Sequence, residues 1–115
     1  MGVITSEALV QQAVSLAKDK KALRPVILDL REVSLVTDYF LIVSAQSRTQ
    51  TLAIADHLQK ELPQGSVQLI SREGDPDGKW ILLDYGSIVV HVFEEETREF
   101  YSLERLWAEA ILTYA

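Results

Sequence analysis

The chain contains no cysteine, which excludes disulfides, thiolate nucleophiles and cysteine-ligated zinc. Histidine is scarce. His57 and His91 are the two present, too few soft-metal ligands for an ordinary site on their own, so no metal or cofactor is expected. Positive charge is in deficit as well, with 11 Lys and Arg against 17 Asp and Glu for a formal net charge of −6. A surface of that sign repels a polyanion, and no direct nucleic-acid site is expected. The basic run Lys18, Lys20, Lys21 and Arg24 falls at the end of a predicted helix, where cations complement the helix dipole. No apolar run reaches the roughly 20 residues of a membrane helix, and no signal peptide is recognisable. A soluble, cytoplasmic protein without membrane contact is expected.

What remains is an ordinary globular composition, 48% hydrophobic and 24% charged over 115 residues. This suits a single domain spanning residues 1–115 with its own core. Residues 6–21 place Leu9, Val10, Ala13, Val14, Leu16 and Ala17 at helical spacing behind a Thr5 or Ser6 cap. Strands are expected over 26–31 and 39–45, paired as neighbours because the connection between them is short. Ser47, with Gln50 three residues on, opens a second helix carrying Leu52, Ala55, Leu58 and Leu62 on one side. A short strand over 67–71 and a turn over 73–78 follow. Residues 97–114 read as mostly helical, with Leu103, Leu106, Trp107 and Ile111 in one stripe. Helices interleaved with strands predict an α/β fold around one mixed five-stranded sheet with about three helices. Three helices do not easily cover both faces of such a sheet, so one face is expected to stay partly bare.

The most informative segment is WILLDYGSIVVHVF, residues 80–93. Two β-branched or aromatic runs flank Tyr85-Gly86, which predicts a β-hairpin. With Leu83 opposite Ile88, period-two geometry puts Ile81, Leu83, Ile88, Val90 and Val92 on one uniformly aliphatic face. Trp80, Leu82, Asp84, Ser87, Val89, His91 and Phe93 fall on the other. The first suits a core; the second mixes large apolar and polar groups, as a partner-facing surface does.

Catalytic readings are weak. Asp75 and Asp77 form a D-x-D pair, but they flank Pro76 inside a Gly-bounded turn, where turn chemistry explains them without magnesium. No Gly-rich loop with a following lysine exists, and neither Gly65-Ser66 nor Gly86-Ser87 has the flanks of a nucleophile elbow. His91, mid-strand among apolar neighbours, reads as structural. The acidic run Glu94, Glu95, Glu96 and Glu99 suits a helix N-terminus and equally a basic partner.

Asp38-Tyr39-Phe40, Ser47-Arg48, Glu73-Gly74, the hairpin segment, Arg98, Phe100-Tyr101, Leu103-Glu104 and Leu106-Trp107 follow in an order that resembles the ribosomal silencing factor (Iojap) family over nearly the whole chain. The resemblance implies a nucleotidyltransferase-like fold without the catalytic residues, hence no enzyme. It implies binding to large-subunit ribosomal protein fourteen on the surface of the large ribosomal subunit that faces the small one. Occupying that surface would sterically block subunit joining and repress translation. Organellar members carry transit peptides, so a chain without one suggests a bacterial cytoplasmic member. Partner contacts are then expected from Trp80, Leu82, Asp84, Val89 and His91 of the mixed face, with Tyr85 at the turn and Glu94 and Glu95 of the acidic run. Two other readings stay open: a residual magnesium-dependent nucleotidyl transferase using Asp75, Asp77 or Asp84, and a domain that self-associates as a homodimer.

Overall fold

A computed structural model describes residues 4–62, 68–74, 76–101 and 111–114. In chain order the described elements are α1 (Ser6–Asp19), β1 (Leu23–Asp29), β2 (Tyr39–Ala45), α2 (Arg48–Glu61), β3 (Ser71–Glu73), β4 (Trp80–Asp84), β5 (Ile88–Glu94), α3 (Glu95–Tyr101) and β6 (Ile111–Tyr114). The strands form one mixed sheet in the order β3-β4-β5-β2-β1-β6. β2 and β5 pair in parallel at its centre, and the other neighbouring strands pair antiparallel.

Local chemistry sets both long helices. Thr5 caps α1, its side chain accepting from the Ala8 amide, and Leu9, Val10, Ala13, Val14 and Ala17 form the buried stripe. Ser47 caps α2 by accepting from the Gln50 amide. Gln50 then reaches back, its Oε1 accepting from the Gln46 amide at 3.2 Å while its Nε2 donates to the Lys20 and Lys21 carbonyls at 3.2 Å each. One side chain thus joins the start of α2 to the end of α1 and satisfies carbonyls that a helix end leaves open. Both helices pack on one face of the sheet, burying Ile27, Leu41, Val43, Ile81, Leu83, Ile88, Val90 and Val92 beneath them. The opposite face carries a smaller cluster of Val26, Leu28, Leu30, Ile42 and Phe93, with Phe40 and Trp80 against it.

The expected mixed α/β sheet with three helices is present, and the differences lie at its margins. The hairpin register pairs Leu83 with Val90 rather than with Ile88, because the turn is the two-residue Gly86-Ser87 and the Tyr85 amide donates to the Ile88 carbonyl at 3.0 Å. Gly86 supplies the positive φ of 84° that this tight connection requires. A slip of two residues preserves the alternation, so the division into two faces holds unchanged. The helix expected over 97–114 does not run its full length: α3 is described over Glu95–Tyr101, residues 102–110 lie outside the described residues, and Ile111–Tyr114 forms a sixth strand against β1. The outer edge of β1 offers that segment a full hydrogen-bonding partner, which outweighs the helical spacing of Ile111. Leu103, Leu106 and Trp107 lie outside the described residues, as does Val67 of the expected 67–71 strand; β3 begins at Ser71.

Gly74 fixes where β4 begins. Its φ is 97°, and a Cβ placed there would sit 2.0 Å from the Trp80 carbonyl oxygen. Backbone cannot swing aside as a side chain can, so Gly74→Ala is expected to destabilise the fold by at least about 2 kcal/mol. A urea midpoint equal to that of the unaltered chain would contradict this.

Candidate docking surface

Alternation along the hairpin puts Trp80, Leu82 and Asp84 on one face with Val89, His91 and Phe93. β2 adjoins β5 there and adds Phe40 beside Val89 and Ile42 beside His91. Phe40, Trp80, Leu82, Asp84 and Val89 are half-buried, whereas Ile42 and Phe93 are fully buried. An aromatic cluster occupies the middle. Phe40 meets His91 edge-on with ring centroids 4.5 Å apart, and Trp80 stacks on Phe93 at 4.9 Å.

The indole Nε1–H of Trp80 donates to His91 Nδ1 across 3.0 Å. This bond needs an unprotonated Nδ1, so the imidazole is neutral and carries its proton on Nε2. Nε2 is buried and has no hydrogen-bond partner among the described residues. Burial lowers the His91 pKa from 6.5 to about 4. At 4% exposure His91 presents almost no surface of its own, unlike the partner contact expected of it, and instead orients the Trp80 indole.

Tyr85 lies apart from this face. It is 9% exposed and packs into the core beneath the helices, because the two-residue turn returns residue 85 to the side of Ile88. Burial raises its phenol pKa, and the Arg72 charge opposes that only in part. Glu94 stands half-buried at the end of β5. Glu95 is turned inward: its carboxylate accepts from Arg24 Nε at 3.1 Å and from Ser44 Oγ. Burial pushes the Glu95 pKa up, but the bonds from Ser44 and Arg24, with the charges of Arg24 and Arg98, hold it below the ordinary value.

Arg98, which the sequence marked for the family resemblance but not as a contact residue, completes that cluster at 3% exposure. Its guanidinium donates to the Arg24 carbonyl at 2.6 Å and to Ser44 Oγ at 3.1 Å. The need arises in β1. Its register shifts between Leu23 and Val26, Arg24 takes a φ of 49°, and Pro25 lacks an N–H, so the bulge leaves carbonyls without ladder partners. Arg98 supplies donors there and anchors the start of α3 beside the open face. Phe40, likewise part of a quoted motif, is the other residue that the sequence did not assign to this face. Its alternation with Tyr39 was readable, but its pairing with Val89 was not.

The carboxylates considered for catalysis do not converge. Asp77 and Asp84 flank opposite ends of β4, and each accepts a local amide, from Lys79 at 3.0 Å and Gly86 at 2.8 Å respectively. Asp75 lies outside the described residues. Among the described residues no group of three His, Cys, Asp or Glu could hold a metal ion. His57, on α2, approaches Asp19 at 3.6 Å, on the opposite side of the sheet from His91. No described helix is long and apolar enough to cross a membrane.

The family model for the ribosomal silencing factor during starvation matches residues 3–114. The chain belongs to the ribosomal silencing factor family. It is 38% identical over 107 residues to the ribosomal silencing factor of Halalkalibacterium halodurans, covering 93% of this chain and 92% of that one. To the Bacillus subtilis factor it is 36% identical over 109 residues, covering 95% and 92% respectively. A crystal structure of a Chromobacterium violaceum protein superposes with a TM-score of 0.87 at 27% identity, covering 91% of this chain and 88% of that chain. One from Bacillus halodurans gives 0.79 at 40% identity, with 88% and 94% covered. Membership in this ribosomal silencing family makes the chain a regulator of translation.

The buried imidazole gives the fold a pH dependence. Because folding depresses the His91 pKa from 6.5 to about 4, the unfolded chain takes up the proton first as pH falls. The contribution is whole above pH 6.5 and is lost progressively toward pH 4, on the order of 3 kcal/mol across that window. His91→Gln keeps an acceptor for the indole but cannot titrate. The difference in urea stability between the two proteins should therefore shift by most of that amount between pH 7 and pH 4.5. Parallel curves would show that the ring is not neutral in the fold.

Proposed function

We propose that this ribosomal silencing family member is a cytoplasmic, non-enzymatic repressor that binds large-subunit ribosomal protein fourteen. It thereby blocks the joining of the large and small subunits by steric exclusion. The observation that carries the reading is the half-buried face of Trp80, Leu82, Val89 and Phe40 on a chain of net charge −6. Aromatic anchors within an otherwise apolar patch supply most of the energy of protein interfaces, and an acidic surround steers encounter with basic ribosomal proteins. Asp84 sits at the edge of the patch, while Glu95 contributes by holding α3 in place.

Trp80→Ala is expected to weaken large-subunit binding by at least about 2 kcal/mol, roughly 30-fold. It also removes the partner of His91 and the stack on Phe93, so part of its effect is on the fold. Leu82→Lys, at a half-buried position with no side-chain hydrogen bond to lose, isolates the docking term. Co-sedimentation with purified large subunits should show both variants impaired, with Leu82→Lys retaining native thermal stability. The unaltered protein should be captured by free large subunits and not by joined ribosomes. Wild-type affinity for Leu82→Lys would rule out this face.

Self-association has separate support, because Leu35, Val36 and Ile70 are large apolar side chains exposed at 106%, 87% and 66%. They belong to the sheet end opposite Trp80. Sedimentation coefficients that rise with concentration, and no longer rise in Leu35→Asp, would establish a dimer through that end. A monomer at all concentrations would dismiss it.

A further inference from the structure

The loop over residues 30–38, between β1 and β2, is braced along its length. At its base the Leu30 amide donates to the Asp38 carbonyl at 2.8 Å, and the Val33 and Ser34 amides return to the Leu30 carbonyl at 3.0 and 2.8 Å. Ser34 Oγ then accepts from the Val36 and Thr37 amides at 3.1 and 3.3 Å. Two bonds tie the loop to its surroundings. Ser6 Oγ of α1 donates to the Asp38 carboxylate at 2.7 Å, and the Asp38 amide donates to the Ser87 carbonyl of the hairpin turn at 2.9 Å. Arg31 is locked by a two-pronged ion pair to Asp29, with its guanidinium 5.3 Å from the Tyr39 ring centroid. Leu30 and Thr37 are buried, yet between them Leu35 and Val36 stand exposed at 106% and 87%. Single exposed apolar residues are commonplace. A hydrogen-bonded frame that holds two large ones in succession out in water serves no need of the loop itself.

We propose that the Leu35–Val36 tip is a second contact of the docking surface, an apolar prong that enters a recess on the same basic protein that covers the sheet face. The inference rests on that docking reading and extends it past the end of the sheet. Continuity is the first reason for this occupant. The loop runs directly into β2 and is bonded to the hairpin turn, so it is rooted at the end of the sheet that carries Phe40, Asp84 and Val89. Val36 is four residues from Phe40, hence within about 14 Å of it, and an ordinary interface spans more than that. Charge is the second reason. Arg31 is committed to Asp29, whereas the exposed Glu32 has no ion-pair partner among the described residues. The charge left over beside the tip is therefore negative, on a chain of net charge −6. A basic protein is drawn to it, while nucleic-acid phosphate and an anionic lipid surface are repelled. A second copy of the chain brings the same acid and the same net charge. Because the frame is already set, little ordering of the loop offsets the burial of its two side chains.

The test uses the full chain. Leu35→Ser/Val36→Ser removes the prong and, because both side chains stand in water, should leave the thermal midpoint unchanged. This variant, Leu82→Lys and the unaltered protein are compared for co-sedimentation with purified large subunits at two salt concentrations, and each is also sedimented alone over a range of concentrations. The double serine variant should bind at least about tenfold more weakly, by the same factor at both salts, since it loses apolar burial and no charge. Leu35→Met/Val36→Ile should keep the affinity of the unaltered chain. Loss in Leu82→Lys with full affinity in the serine variant overturns the prong and leaves the docking face standing. Full affinity in Leu82→Lys overturns the docking reading, and with it the shared partner inferred for the tip. Self-association of the unaltered chain that the serine variant abolishes, with subunit affinity unchanged, gives the tip to a second copy and overturns the prong. A loss seen at low salt alone overturns apolar burial as its cause.

Discussion

The parallel pairing of β2 with β5 governs the rest of the molecule. Seven consecutive residue pairs, from Tyr39 opposite Ile88 to Ala45 opposite Glu94, hold the two strands side by side at the centre of the sheet. Strands so placed are apolar on both faces, because each face is covered or is available to be covered. Phe40-Leu41-Ile42-Val43 and Val89-Val90-His91-Val92-Phe93 are such runs. α1 and α2 occupy one face and bury Leu41, Val43, Val90 and Val92. The alternate residues then necessarily emerge opposite, where Phe40, Ile42, Val89, His91 and Phe93 form the second face. The proposed docking surface is the geometric remainder of a central parallel pair with both long helices on one side.

Polar atoms on that second face are handled in two ways. Ser44, at the α3 end, is absorbed into a charged cluster with Glu95, Arg24 and Arg98, where each group offsets the desolvation of another. His91 is held neutral, with one nitrogen matched to the Trp80 indole and the other buried. A buried polar atom without a partner costs free energy, and an apolar residue at 91 would avoid that cost. What the imidazole provides is direction: it ties the largest side chain of the face to one orientation while leaving its ring at the surface. Pre-orientation of an anchor lowers the entropy lost on binding.

Much of this was readable in the sequence because the signals were local or depended only on parity. Thr5, Ser47 and Gln50 marked both helix starts through bonds within four residues. The hairpin faces survived a register error of two residues, since side-chain direction repeats with that period. Tyr85 was misplaced because adjoining the turn does not reveal which side of the sheet a residue joins. Glu95 looked like its neighbour Glu94, yet its partners Ser44 and Arg24 are 51 and 71 residues distant. Arg98 gave no sign of its task, as the bulge it satisfies lies in β1, at the other end of the chain. Ile111–Tyr114 joined the sheet because an unpaired β1 edge was available, a tertiary effect that no window of sequence contains.

The distribution of charge bears on which partner that face selects. An apolar sheet face rimmed by groups of both signs would pair readily with a second copy of itself. Here Asp77, Glu94 and Glu96 border Trp80 with Lys79 as the counterweight, so two copies approaching through this face bring acid against acid. Like charges brought together in a drying interface are costly, while the same acids attract a basic surface. In the proposed reading the rim therefore disfavours self-pairing through this face and suits a cationic partner. The exposed apolar side chains Leu35, Val36 and Ile70 lie away from this rim. In the proposed complex the apolar patch would supply affinity, and the carboxylates around it would decide for whom.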